Sequence, residues 1–116
     1  MTYKTILCSD VNGIKVVEVL ERRIYLTITE VFKEEMLSII EGGCNCLLVD
    51  LNRVAVMNSA GLGVLLLARD QLHKRGGTIK LVRLQPLLRE IFSRMRLDTL
   101  FDIYDSREEA LRGIGQ

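Results

Sequence analysis

Tryptophan is absent from this sequence, and only three phenylalanines and three tyrosines stand among its 116 residues. A surface that grips nucleic acid by stacking bases on aromatic rings is therefore not expected. An excess of charge of one sign is missing too: 16 Lys and Arg face 15 Asp and Glu, a formal net charge of +1. Nucleic-acid binders carry a strong basic bias, so that class is disfavoured a second time. No apolar run approaches the roughly 20 residues that cross a bilayer, so membrane insertion is not expected. The opening residues Met1-Thr2-Tyr3-Lys4-Thr5 hold no signal-peptide hydrophobic region. Three cysteines are an odd number. With no export signal they point to reduced thiols in a cytoplasmic protein.

What is present is enough for one domain spanning residues 1–116, in which about two-thirds of the unfolded chain's surface can be buried. The centre of the chain is the short apolar run Leu47-Leu48-Val49-Asp50-Leu51. It lacks alternation, as a strand covered on both faces does. After a loop, leucines 62, 65, 66 and 72 repeat at helical spacing, so a helix is expected from about Ala60 to Lys74, closed by Gly76-Gly77. Upstream, residues 3–10 and 14–20 read as strands joined by Asn12-Gly13, the pair that a type I′ hairpin prefers. Residues 21–26 look irregular. Thr27 and Glu30 suggest a capping box for the first helix, and Leu26 with Val31 a hydrophobic staple. Phe32, Met36, Ile39 and Ile40 form its inner face, and Gly42-Gly43 ends it.

Downstream, residues 79–82 read as a strand, and Pro86 opens a third helix at a position where its missing N–H costs nothing. Leu87, Leu88, Ile91, Phe92 and Met95 are its expected buried stripe, with Arg89, Arg94 and Arg96 on a solvated face. Residues 101–104 make a last strand. Ser106 and Glu109 suggest a second capping box, for a helix ending near Gly113. The expected fold is a single small α/β domain with a mixed sheet of about five strands and about four helices.

Candidates for chemistry are few. Ser59 as an enzyme nucleophile needs a base within hydrogen-bond reach. The lone histidine, His73, stands roughly 20 Å along the same helix at the helical rise. The G-x-S-x-G elbow is absent as well, so no catalytic residue is assigned and no enzyme is expected. Gly61-x-Gly63 lacks the third glycine of a dinucleotide fingerprint and the Gly-Lys-Ser/Thr of a P-loop. These glycines read as close packing at a helix start. Cys44-x-Cys46 with Cys8 and His73 matches no zinc spacing, and neither metal nor cofactor is expected. Ser59 keeps two readings. It is a plain helix N-cap, or a hydroxyl held where the helix dipole favours a phosphate.

The segment Val56-Met57-Asn58-Ser59-Ala60-Gly61-Leu62-Gly63 resembles the STAS family, the sulfate transporter and anti-sigma factor antagonist domains. The family pattern runs apolar residue, Asp, Ser, Ser or Ala, Gly, Leu, then often Gly. The likeness extends through Leu48-Val49-Asp50-Leu51, Gly76-Gly77-x-Ile79-x-Leu81, Leu97-Asp98-x-Leu100-Phe101 and Ser106-x-x-Glu109-Ala110-Leu111. In bacterial anti-sigma factor antagonists the serine after the acidic residue is phosphorylated by the anti-sigma factor, a serine kinase. Phosphorylation breaks their complex, and a serine phosphatase resets it. The resemblance implies that Ser59 is the phosphoacceptor and that Tyr25, Met57, Asn58, Ser59, Ala60, Gly61, Leu62 and Gly63 form the partner surface. Two departures stand out. Asn58 replaces the usual Asp, and Arg22 and Tyr25 occupy the usual Gly and Asp of the loop before the first helix. A non-phosphorylated scaffold or complex subunit is the alternative that Asn58 suggests. A nucleotide- or phosphate-binding domain is a weaker one.

Overall fold

Asn12 and Gly13 both hold positive φ, 51° and 83°, as a type I′ turn requires. They join β1 (Ile6–Val11) to β2 (Ile14–Val19) in antiparallel register, Val11 opposite Ile14. The computed structural model describes residues 3–114; residues 1–2 and 115–116 of the expected domain span lie outside the described residues. From β2 the chain runs through β3 (Arg23–Ile24), α1 (Leu26–Glu41), β4 (Cys46–Asp50), β5 (Val56–Met57) and α2 (Ser59–His73). It continues through β6 (Thr78–Val82), α3 (Pro86–Arg94), a 3₁₀ turn at Leu97–Thr99, β7 (Asp102–Tyr104) and α4 (Arg107–Ile114). The main sheet has the order β1-β2-β4-β6-β7, parallel from β2 onward, so the expected mixed five-stranded sheet with four helices is what forms.

β4 is central, and its side chains alternate between two cores. Leu47 and Val49 meet Phe32, Met36, Ile39 and Ile40 of α1, Leu65 and Leu72 of α2, and Leu88 and Phe92 of α3 in one cluster. Leu48 joins Ile14, Val16 and Val82 under Ala110 of α4 in the other. Burial of each such side chain is worth about 1.5–3 kcal/mol, which explains the unbroken apolar run. No helix among the described residues is long and apolar enough to cross a membrane.

Three expectations about helices change. α1 begins at Leu26, one residue after the extended Tyr25, and no side chain caps it. Thr27 is thus inside the helix, and the capping box with Glu30 does not form. Leu26 is 74% exposed, so there is no staple to Val31. The pairing of Ile24 with Met57 in a short parallel ladder decides where the chain leaves the sheet, and that ladder overrides the local signal. In α3 only Leu88 and Phe92 are buried; Leu87 is more than half exposed, and so is Met95, which lies just past the end of the helix. A nine-residue helix seats one i, i+4 row on the sheet, and the neighbouring row lies at its flank. Ser106 does cap α4, accepting the Glu109 N–H at 3.2 Å.

Asp50, at the end of β4, is fully buried. It is paired with Arg83 at 2.5 Å and with Arg107 of α4 at 2.6 Å, and it accepts the Asn52 N–H at 3.0 Å. Burial alone raises its pKa. The Arg83 guanidinium, the Asn52 N–H and Arg107 outweigh that and hold it below the ordinary 3.8. Arg83 itself sits at φ 58°, and its N–H donates to the Tyr104 carbonyl at 3.0 Å. One carboxylate therefore ties β4 to the β6–α3 connection and to α4.

A folded-state pKa below the unfolded one means that the Asp50 contribution is complete above the unfolded value and is lost as pH falls through the folded value. Stability should decline below about pH 4. Asp50→Asn should flatten that decline and cost on the order of 2–3 kcal/mol at neutral pH, read from urea melts across pH.

Candidate functional site

The two-residue ladder sets the site. Arg23 lies opposite Val56 and Ile24 opposite Met57, and the Asn58 N–H donates to the Ile24 carbonyl at 2.9 Å. Each strand then turns into a helix. The bond from Asn58 to Ile24 ties the start of α2 to the residue just before Tyr25, where the chain turns into α1. Leu26 enters its helix at φ 54°, a conformation that costs a non-glycine residue about 1–2 kcal/mol.

Asn58, not Ser59, is the N-cap of α2, which corrects the plain N-cap reading of the serine. Its backbone is extended, at φ −75° and ψ 173°, and its Oδ1 accepts the Gly61 N–H at 2.8 Å. The Thr29 hydroxyl, from α1, donates to the same Oδ1 at 3.4 Å. The Asn58 carbonyl accepts the Leu62 N–H at 3.1 Å. The first N–H groups of a helix have no intrahelical acceptor. With Gly61 and Leu62 served by Asn58, those of Ser59 and Ala60 have no acceptor among the described residues. Ser59 is the first helical residue. It is exposed, and its hydroxyl bonds to no described residue.

The remaining expected residues divide by depth. Tyr25, Ala60 and Gly63 are exposed with Asn58 and Ser59. Met57 and Leu62 are only 4% exposed, and Gly61 is buried. The expectation that these three are exposed for contact is corrected: they are buried, because their side of the helix start faces the core. A Cβ on Gly61 would stand 2.5 Å from Met57 Cγ and 2.9 Å from Ile24 Cγ2, so glycine is what lets α2 approach the ladder. At Gly63 a Cβ would meet nothing within 4 Å, so close packing explains only the first of the two glycines.

Gly63 instead borders an open groove between α1 and α2, together with Thr29, Glu30, Lys33 and Ala60. Its volume of about 160 Å³ is below the roughly 300 Å³ at which small-molecule sites begin. Val56 and Leu26 add exposed apolar surface that the sequence did not single out. Val56 stands in a strand of two residues and Leu26 at the first position of α1, and so short a strand carries no periodic signal. His73 lies at the opposite end of α2 from Ser59. Cys8, Cys44 and Cys46 are free thiols, and burial raises the pKa of Cys8 and Cys44. Among the described residues no three His, Cys, Asp or Glu side chains gather in a way that could hold a metal ion.

Residues 9–110 match the model of the STAS domain family. The chain is 33% identical over 81 residues to BtrV of Bordetella bronchiseptica, a protein named as an anti-sigma factor antagonist, and the alignment covers 70% of each. Its fold is similar to the crystal structure of an anti-sigma factor antagonist from Mycobacterium paratuberculosis, with a TM-score of 0.86 and 25% identity over 97% of this chain and 94% of that one. It is also similar to the phosphorylated form of the Bacillus cell fate determinant SpoIIAA. There the TM-score is 0.72 and the identity 19%, covering 94% of this chain and 98% of that one.

The division of labour at the helix start has a measurable consequence. Asn58→Ala should cost about 1 kcal/mol in urea unfolding, the worth of an N-cap. Ser59→Ala should stay within about 0.5 kcal/mol of the parent, as an exposed residue without partners does.

Proposed function

The chain belongs to the STAS domain family, and on that premise we propose that it is an anti-sigma factor antagonist, switched by phosphorylation of Ser59. In this reading it is a cytoplasmic regulator of sigma-factor-dependent transcription. It binds an anti-sigma factor that is also a serine kinase, and so frees a sigma factor. The kinase phosphorylates Ser59 and the complex separates; a serine phosphatase restores the hydroxyl. Tyr25, Asn58, Ser59, Ala60 and Gly63 form the contact surface, with Met57, Gly61 and Leu62 as its support. The nucleotide and the catalytic base belong to the kinase, so this chain needs neither.

The observation that carries this reading is the exposed, unpartnered Ser59 hydroxyl at the first position of α2. A phosphate there adds nearly two negative charges. Within the domain they meet the positive end of the helix dipole, an interaction of about 0.3–1 kcal/mol in the favourable direction. The fold therefore tolerates the modified form. An interface shaped for a hydroxyl does not. Burying the dianion there without a counter-charge costs several kcal/mol, enough to abolish a micromolar complex. That a protein of the same fold, SpoIIAA, has a phosphorylated form is consistent with this chemistry.

Intact mass after incubation with ATP and the serine kinase encoded nearest to this gene tests the proposal. The expected result is the gain of one phosphate, absent in Ser59→Ala, with loss of the complex on size exclusion. An unlabelled Ser59 in a complex that stays intact would overturn the switch and favour a non-phosphorylated scaffold.

A further inference from the structure

The side chain before Ser59 has a fixed hydrogen-bond polarity. Asn58 Oδ1 is used twice, by the Gly61 N–H and by the Thr29 hydroxyl. The Gly61 N–H can only donate, so it dictates which end of the amide turns inward; an inward NH2 would set donor against donor. The outer end is therefore Nδ2 with its two hydrogens, which donate to no described residue. Asn58 is exposed. It stands next to Ser59 in the chain, and its backbone N–H donates to the Ile24 carbonyl across the ladder. Thr29 is buried on α1, so its bond to Asn58 reaches across the boundary between the two helices.

We propose that Asn58 is a specificity-determining residue of the partner surface. Its Nδ2 donates to an oxygen acceptor, a carboxylate or a main-chain carbonyl, on the kinase that docks at Ser59. The matching partner surface presents an acceptor beside the serine and not a cation. Thr29 is a positioning residue, since it helps to hold Oδ1 inward and Nδ2 outward. This inference depends on the reading of Ser59 as the kinase's target.

Asn58→Asp separates the cap from the contact. Asp and Asn are equivalent N-caps, so the inward bond to Gly61 survives. The outward atom changes from a donor to an anionic oxygen and then faces the partner's acceptor. Affinity for the kinase that labels Ser59 is measured by calorimetry at low and high salt, with a thermal melt of each variant. Asn58→Asp should melt close to the parent yet bind roughly thirtyfold or more weakly. Part of that loss should return at high salt if the acceptor is charged. Thr29→Val, which keeps the shape without the hydroxyl, should weaken binding less. Equal affinity of Asn58→Asp and the parent, with the parent still labelled on Ser59, overturns the role of Asn58 alone. If no kinase binds or labels the parent, the Ser59 reading fails and this one falls with it.

Discussion

The close approach of the first turn of α2 to the β3–β5 ladder is the constraint on which the rest of the site depends. Gly61 permits it, because any Cβ there would enter Met57 and Ile24. The approach buries Met57 and Leu62 and leaves the other side of the same turn in solvent. A helix start that is buried on one side and open on the other presents Ser59 without asking its hydroxyl to stabilise anything. Asn58 meets the structural need for a cap, so the Ser59 hydroxyl takes no part in it.

Stability and presentation are divided between the two sides of the sheet. The larger core, under α1, α2 and α3, supports the ladder and the heads of α1 and α2. The smaller one, under α4, is pinned by Asp50 with its two arginines. A buried carboxylate is costly unless it is paired, and here two guanidiniums and a backbone N–H share it. That network lies at the C-terminal end of β4, just before the loop that leads into β5. The strand thus delivers the chain to the ladder from a tied point, and the ladder then joins the approaches to α1 and α2 through Ile24, Met57 and Asn58. The exposed Leu26 at positive φ belongs to the same junction, where the chain turns from β3 into α1.

Much of this was legible in the sequence. Hydrophobic periodicity gave the strands and helices of the main sheet, Asn12-Gly13 the hairpin, Pro86 the start of α3, and Ser106 the cap of α4. These signals are local: each depends on a few neighbouring residues and on backbone chemistry that does not change with context. The likeness to the STAS family carried by the residues from Val56 to Gly63 agrees with the family model, which matches residues 9–110.

Long-range pairing decided the rest. The β3–β5 ladder is two residues per strand and has no period to read, yet it set the start of α1 and cancelled the capping box at Thr27. Which of Asn58 and Ser59 caps α2 turned on where β5 ends, and that depends on Ile24, more than thirty residues earlier in the chain. The depths of Met57, Gly61 and Leu62 follow from the same contact. Asp50 was visible as a residue at the end of a strand, but its partners Arg83 and Arg107 come together only when β6 and α4 pack beside it. Sequence alone determined the strands of the main sheet and the helices around it, and singled out Val56 to Gly63 as the candidate segment. Only the tertiary structure decided which atoms of that segment face water, because burial is a property of what packs against a residue and not of the residue itself.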